Sequence, residues 1–137
     1  MKIVRRVLIL ATLGAISIAL AEESPKRAIA CKTPAIAGSC YWIRGRLREG
    51  NGNPSFRLWK ISSRHILGIY SGPSVDRWSL DSEAPEFPPN VQRVYNAKQY
   101  VSVYGDFEVC PLEEEKPGEM QAACIENAKN VVVKNDY

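Results

Sequence analysis

Histidine is almost missing from this chain: His65 is the only one. A lone histidine inside the apolar run Ile66, Leu67, Ile69 reads as a structural or surface residue, because a general base is defined by geometry with a partner. No G-x-S-x-G elbow and no phosphate-cradling glycine loop occur. The four cysteines, Cys31, Cys40, Cys110 and Cys124, lack the C-x₂₋₄-C spacing of a zinc site, and one histidine cannot complete such a site. The acidic run Glu113-Glu114-Glu115 lacks the spaced oxygen ligands of a calcium loop and reads as solvated. No cofactor and no metal are therefore expected, and recognisable reaction machinery is absent.

Long hydrophobic runs are also lacking, with one exception near the start. Lys2, Arg5 and Arg6 precede an uncharged apolar stretch over 7–20, and Ala19-Leu20-Ala21 then fits an A-x-A cleavage pattern. The stretch is shorter than the roughly 20 residues a membrane span needs, and Cys31 lies too far from it for a lipoprotein. Residues 1–21 are thus predicted to be a cleaved signal peptide that sends the rest to the periplasm or the outside, with no membrane span left afterwards. Residues 22–39 read as an N-terminal linker or extension, and 40–137 as one domain. An even cysteine count in an exported chain of this size predicts two disulfides. Cys31–Cys40 and Cys110–Cys124 are the expected pairs, since both close short loops.

Charge of one sign is in deficit once the signal is removed. Three of the 18 Lys and Arg residues, and none of the 15 Asp and Glu residues, lie in 1–21, so the remainder has zero net charge. A basic, nucleic-acid-like character belongs only to the precursor, and nucleic acid is not favoured as a partner. Charge is nevertheless divided along the chain. Residues 24–77 hold ten bases against two acids, and residues 78–137 hold five bases against eleven acids. The halves either attract each other in the fold, give one positive face, or form a mixed solvated surface.

What is present is alternation. Over 41–48, Tyr41, Ile43, Gly45 and Leu47 fall on one face and Trp42, Arg44, Arg46 and Arg48 on the other. The turn cluster 49–54 carries the Asn-Gly signal. Strands are predicted over 55–61 and 64–70. Residues 71–90, rich in proline, read as a long irregular connection, with one helical turn fitting 76–82. Residues 91–98 read either as a short helix or as a strand. Over 100–110, Val101, Val103, Gly105, Phe107 and Val109 share one face, while Tyr100, Ser102, Tyr104, Asp106, Glu108 and Cys110 share the other. A last strand lies within 122–134, read as two short pieces joined near Asn127. Three strands in a meander, a long connection and a final hairpin are the order of an OB-fold: a small five-stranded, partly open Greek-key barrel.

Several runs carry a resemblance: Gly45-Arg46-Leu47, the stretch from Asn51 to Trp59, Arg64 to Gly68, Gly105 to Leu112, and Met120 to Ile125. In these the chain resembles a group of small exported bacterial proteins with an OB-fold-like strand pattern, over roughly residues 40–133. The resemblance supplies no catalytic residues.

The constellation with chemistry is aromatic and basic. Trp42, Arg44, Arg46 and Arg48 on the first strand and Arg57 and Trp59 on the second are the candidate ligand-binding residues. OB-folds bind oligonucleotides and oligosaccharides on such a face, with Trp stacking and Arg pairing with anions. The bland reading has both tryptophans packed at the barrel end or under the connection. The expected function is a non-catalytic exported binding or interaction module for an anionic or saccharide ligand or a partner protein, such as an anionic glycan or an envelope protein. An envelope structural or inhibitor-like protein is the alternative, drawn from the disulfides and the Pro-rich connection. A hydrolase using Asp106 and Glu108, two apart on one strand, is the third reading.

Overall fold

A computed structural model describes residues 27–73 and 83–136. The signal peptide expected over 1–21, and the helical turn read into 76–82, fall outside the described residues. Five strands and one helix follow in the order β1 (Tyr41–Glu49), β2 (Phe56–Lys60), β3 (Ile66–Ile69), α1 (Pro89–Ala97), β4 (Val101–Pro111) and β5 (Gln121–Asn135). The protein is mainly β, and its strands close into a ring in the order β1-β2-β3-β5-β4. All neighbours are antiparallel except β3 and β5, which run parallel through Leu67↔Gln121 to Ile69↔Ala123.

Alternation explains the ring. Ile43 and Leu47 of β1, Phe56 and Leu58 of β2, Leu67 and Ile69 of β3, Val103, Phe107 and Val109 of β4, and Ala123 and Ile125 of β5 point into one buried core. Each large aliphatic or aromatic side chain fully removed from water there contributes about 1.5–3 kcal/mol. Gly45 sits where β1 must bend across the core: a Cβ there would lie 2.6 Å from Leu58 Cδ1 and 3.1 Å from the Trp59 carbonyl oxygen. The mid-strand glycine is therefore a point of close approach.

One end of the core is closed by the connection before β4. Its last part is helical, which resolves the helix-or-strand ambiguity at 91–98. Pro89 sits in the first turn, where its missing N–H costs nothing. Val91, Val94 and Tyr95 then recur at helical spacing and pack on the core. The rings of Phe56 and Phe87, and of Phe56 and Tyr95, meet edge to face with centroids 4.9 Å apart. The Tyr95 hydroxyl donates to the Leu47 carbonyl at 3.1 Å. Burial, helped by Glu49 and Asp136, pushes that phenol well above its ordinary range.

Two expectations need correction. The last strand is one continuous element rather than two pieces: register shifts opposite Tyr104/Asp106 and Glu108/Val109 accommodate the irregularity as bulges, with Asn130 at φ 54°. The disulfides are Cys31–Cys124 and Cys40–Cys110, not the two local pairs. The reason is register. β1 and β4 are antiparallel with Tyr41 opposite Val109, so Cys40, one step before, meets Cys110, one step beyond. Cys110 and Cys124 do face each other across β4 and β5, but each is bonded to the segment preceding β1. Bridges spanning 70 and 93 residues each restrict the unfolded chain by about 4–5 kcal/mol on the chain-entropy model.

The segment from residue 27 is fastened to the sheet. The Arg27 side chain is 3% exposed and donates to the carbonyl oxygens of Ser71, Glu86 and Ile125 and to Cys31 Sγ. Desolvation lowers its pKa, against the opposing pull of Glu86 and Glu126. Both carboxylates also accept from backbone N–H groups of the same segment, Glu86 from Ala28 and Ile29, Glu126 from Cys31 and Lys32.

The divided charge is resolved as attraction. Among the described residues the ion pairs join the first half to the second: Arg27–Glu86, Lys32–Glu108, Arg44–Asp106, Arg46–Asp136 and Arg48–Asp136; the His65 ring likewise lies beside Glu115. No helix among the described residues is long and apolar enough to cross a membrane. Two disulfides fit an oxidising compartment.

Candidate ligand-binding face

The outer face of the ring is set by the same alternation that fills its inside. Because Ile43, Gly45 and Leu47 point inward, Trp42, Arg44, Arg46 and Arg48 point outward. Register then decides what each meets. Arg46 lies between Trp59 of β2 and Tyr104 of β4, and Arg48 lies between Arg57 and Ser102. Arg44 is opposite Asp106 and Trp42 opposite Glu108. All six candidate residues therefore occupy one surface, but not one site.

Arg44 is matched by Asp106 at 3.3 Å. Arg46 donates from Nε to Ser102 Oγ at 2.9 Å and from its guanidinium to Asp136 at 3.0 Å. Arg48 Nε lies 3.2 Å from the other oxygen of the same carboxylate. The Ser102 hydroxyl hydrogen bond, with Arg46 and Arg48 beside it, holds the Asp136 carboxyl below the usual range. Trp42 is 46% exposed, with Lys129 Nζ 4.3 Å from its ring centroid, so it neither caps the core nor lies under the connection.

Arg48, Arg57 and Trp59 do converge. With Glu49, Asn51 and Tyr100 they line an open cleft of about 470 Å³ between the β1–β2 turn and the start of β4. Arg57 donates to the Asn51 carbonyl at 2.8 Å and has no acidic partner among the described residues; its Nε is buried without a hydrogen-bond partner there. Gly52, at φ 99°, lets the turn curl around this guanidinium: a Cβ there would come 3.3 Å from it. Trp59 is half-buried and Tyr100 is 71% exposed. Glu49, opposite Phe56 in the β1–β2 ladder, also lines the neighbouring hollow with Tyr95.

Tyr100, Asn51, Glu49 and Asp136 were not among the candidates. Tyr100 carried a signal, since it alternates with Ser102 in the sequence, although the structure places it just before β4 at φ 56°. Asp136 carried none, because it follows the last strand and reaches the arginines only through the β4–β5 register.

The two carboxylates of the hydrolase reading both have cationic and amide partners. Asp106 accepts from Asn130 Nδ2 at 2.7 Å and pairs with Arg44, and these, Asn130 foremost, lower its pKa. Burial works to raise Glu108, but Lys32 and Asn127, which hydrogen-bond to it, outweigh that and hold it low. Neither is held protonated, as a general acid would need to be. The acidic loop is likewise engaged: Glu113 accepts from the Ala122 N–H and Glu115 lies 3.3 Å from His65 Nδ1. The Sγ atoms of Cys31, Cys110 and Cys124 cluster within 4.8 Å, and all three residues are disulfide-bonded.

No family model matches the chain, and neither a curated protein nor a solved structure matches it significantly.

Proposed function

We propose that the protein is an exported, non-catalytic binding module, an OB-like barrel that takes an anionic ligand on its outer Trp/Arg face. The strand order, with a helix between the third and fourth strands, supports the OB-like reading. The basic start, the apolar run and the A-x-A motif over residues 1–21, together with two disulfides, support export through a cleaved signal.

The observation that carries the binding reading is the direct opposition of Arg48 and Arg57, of which only Arg48 has a carboxylate partner among the described residues, Asp136, shared with Arg46. Like charges directly opposite each other on a sheet are destabilising, and an anion between the two forks would relieve that repulsion. The processed protein should be retained on immobilised heparin in a salt-sensitive way, and an Arg48→Ala/Arg57→Ala double variant with native circular dichroism should lose retention. No retention at low salt, or the same retention in the double variant, ends this reading. A second reading, an envelope interaction protein, draws on Trp42 and Val132, both about half exposed beyond the cleft.

A further inference from the structure

The cleft holds more than positive charge, and the mixture narrows its ligand. Arg48 and Arg57 offer planar donor forks suited to a carboxylate or sulfate. Trp59 and Tyr100 offer aromatic faces on which a ring can stack. The same walls carry acceptors: Glu49, which lies between this cleft and the hollow beside Tyr95, and the loop at Asn51. A polyphosphate backbone gains from the forks but is repelled by Glu49 and by Asp136 behind Arg48. A sugar gains from all three, because its hydroxyls donate to carboxylates, its C–H face covers an indole, and its acidic substituent meets the guanidiniums. A space of about 470 Å³ lies within the range of pockets that enclose a small ligand.

We propose that the cleft lined by Arg48, Glu49, Asn51, Arg57, Trp59 and Tyr100 binds one or two residues of an acidic saccharide, its carboxylate or sulfate held between Arg48 and Arg57 and its ring on Trp59. This rests on the binding-module reading above and specifies its ligand. Glu49 is the residue that separates a sugar from a mere polyanion.

Calorimetric titration at low salt with digalacturonate, a sulfated heparin disaccharide, neutral cellobiose, sodium sulfate and a short oligothymidylate tests it. The first two probes separate a carboxylate source from a sulfate source. At least one of them should bind ten times or more tighter than sulfate ion or cellobiose. Trp59→Ala and Arg48→Ala should each weaken that binding at least tenfold. Arg57→Ala should do the same, and Arg48→Ala keeps the test decisive should loss of the Asn51 contact unfold the turn. Glu49→Gln should weaken the acidic sugar severalfold while leaving or strengthening oligothymidylate binding. If neither acidic disaccharide exceeds sulfate ion, or if binding ignores Trp59→Ala and Glu49→Gln, the saccharide assignment is overturned. Heparin retention that still depends on Arg48 and Arg57 would then leave the broader anion-binding reading standing; retention independent of them removes both.

Discussion

Arg27 and Arg57 are the same residue type at opposite fates. Arg27 is sealed beside the Cys31–Cys124 bridge with four acceptors around its guanidinium, so its charge is spent on fastening the segment before β1 to the sheet. Arg57 stands at the cleft with one carbonyl partner. Nε is buried without a partner in both residues, so the difference lies in the terminal nitrogens: those of Arg27 are all taken by the fold, whereas the partly exposed Arg57 can keep donors in reserve for a ligand. Arg27 thus serves the fold, and Arg57 stands where a ligand can reach it.

That contrast can be broken by removing the fastening. A Cys40→Ala/Cys110→Ala double variant should lose about 4 kcal/mol of stability in urea denaturation, yet while folded it should keep the heparin retention of the cleft. Arg27→Met should cost about 3 kcal/mol, since it leaves the carboxylate of Glu86 and several carbonyls without their cation; a loss under 1 kcal/mol would mean that the segment before β1 does not depend on this residue. In the middle of β1, Gly45→Ala should cost about 2 kcal/mol by overpacking against Leu58, measured the same way.

Acid should act on the carboxylates that hold the outer arginines. Asp106, Glu108 and Asp136 all have folded-state pKa values lowered from the ordinary range. A lowered carboxyl adds stability that is complete above its unfolded value, about 4, and is lost as pH falls through the folded value. The melting temperature should therefore be flat from about pH 7 to pH 5 and fall below about pH 4. Asp136→Asn should lower the neutral-pH plateau and make the acid drop shallower; an unchanged profile would show that Asp136 does not hold the pair Arg46 and Arg48. The smallest effect belongs to Trp42→Ala, about 0.5 kcal/mol from the loss of its contact with Lys129. Trp42 lies six residues from Arg48 along β1, about 20 Å at strand rise, so the cleft's ligand binding should not change.

Much of the fold was legible as period-two alternation. It placed the buried face of β1 at Ile43, Gly45 and Leu47, and of β4 at Val101 through Val109, and the outward row of Trp42 and three arginines followed at once. The bulged last strand was misread because a bulge interrupts alternation without ending a strand. The disulfides were misread because short loops look cheapest when only sequence distance is visible. The candidate face was legible, but its division was not: Arg44 and Arg46 look like Arg48 and Arg57 until Asp106 and Asp136 are brought beside them.

Side-chain periodicity and turn chemistry are local properties, and the order of residues alone marked the first four strands and, for β1 and β4, the side that faces the core. Pairing is not local. Only closure of the ring brought Cys40 to Cys110, Asp136 to Arg46 and Arg48, and Tyr100 to the cleft, because contacts between residues tens of positions apart depend on strand register and on how far each strand runs past its neighbour.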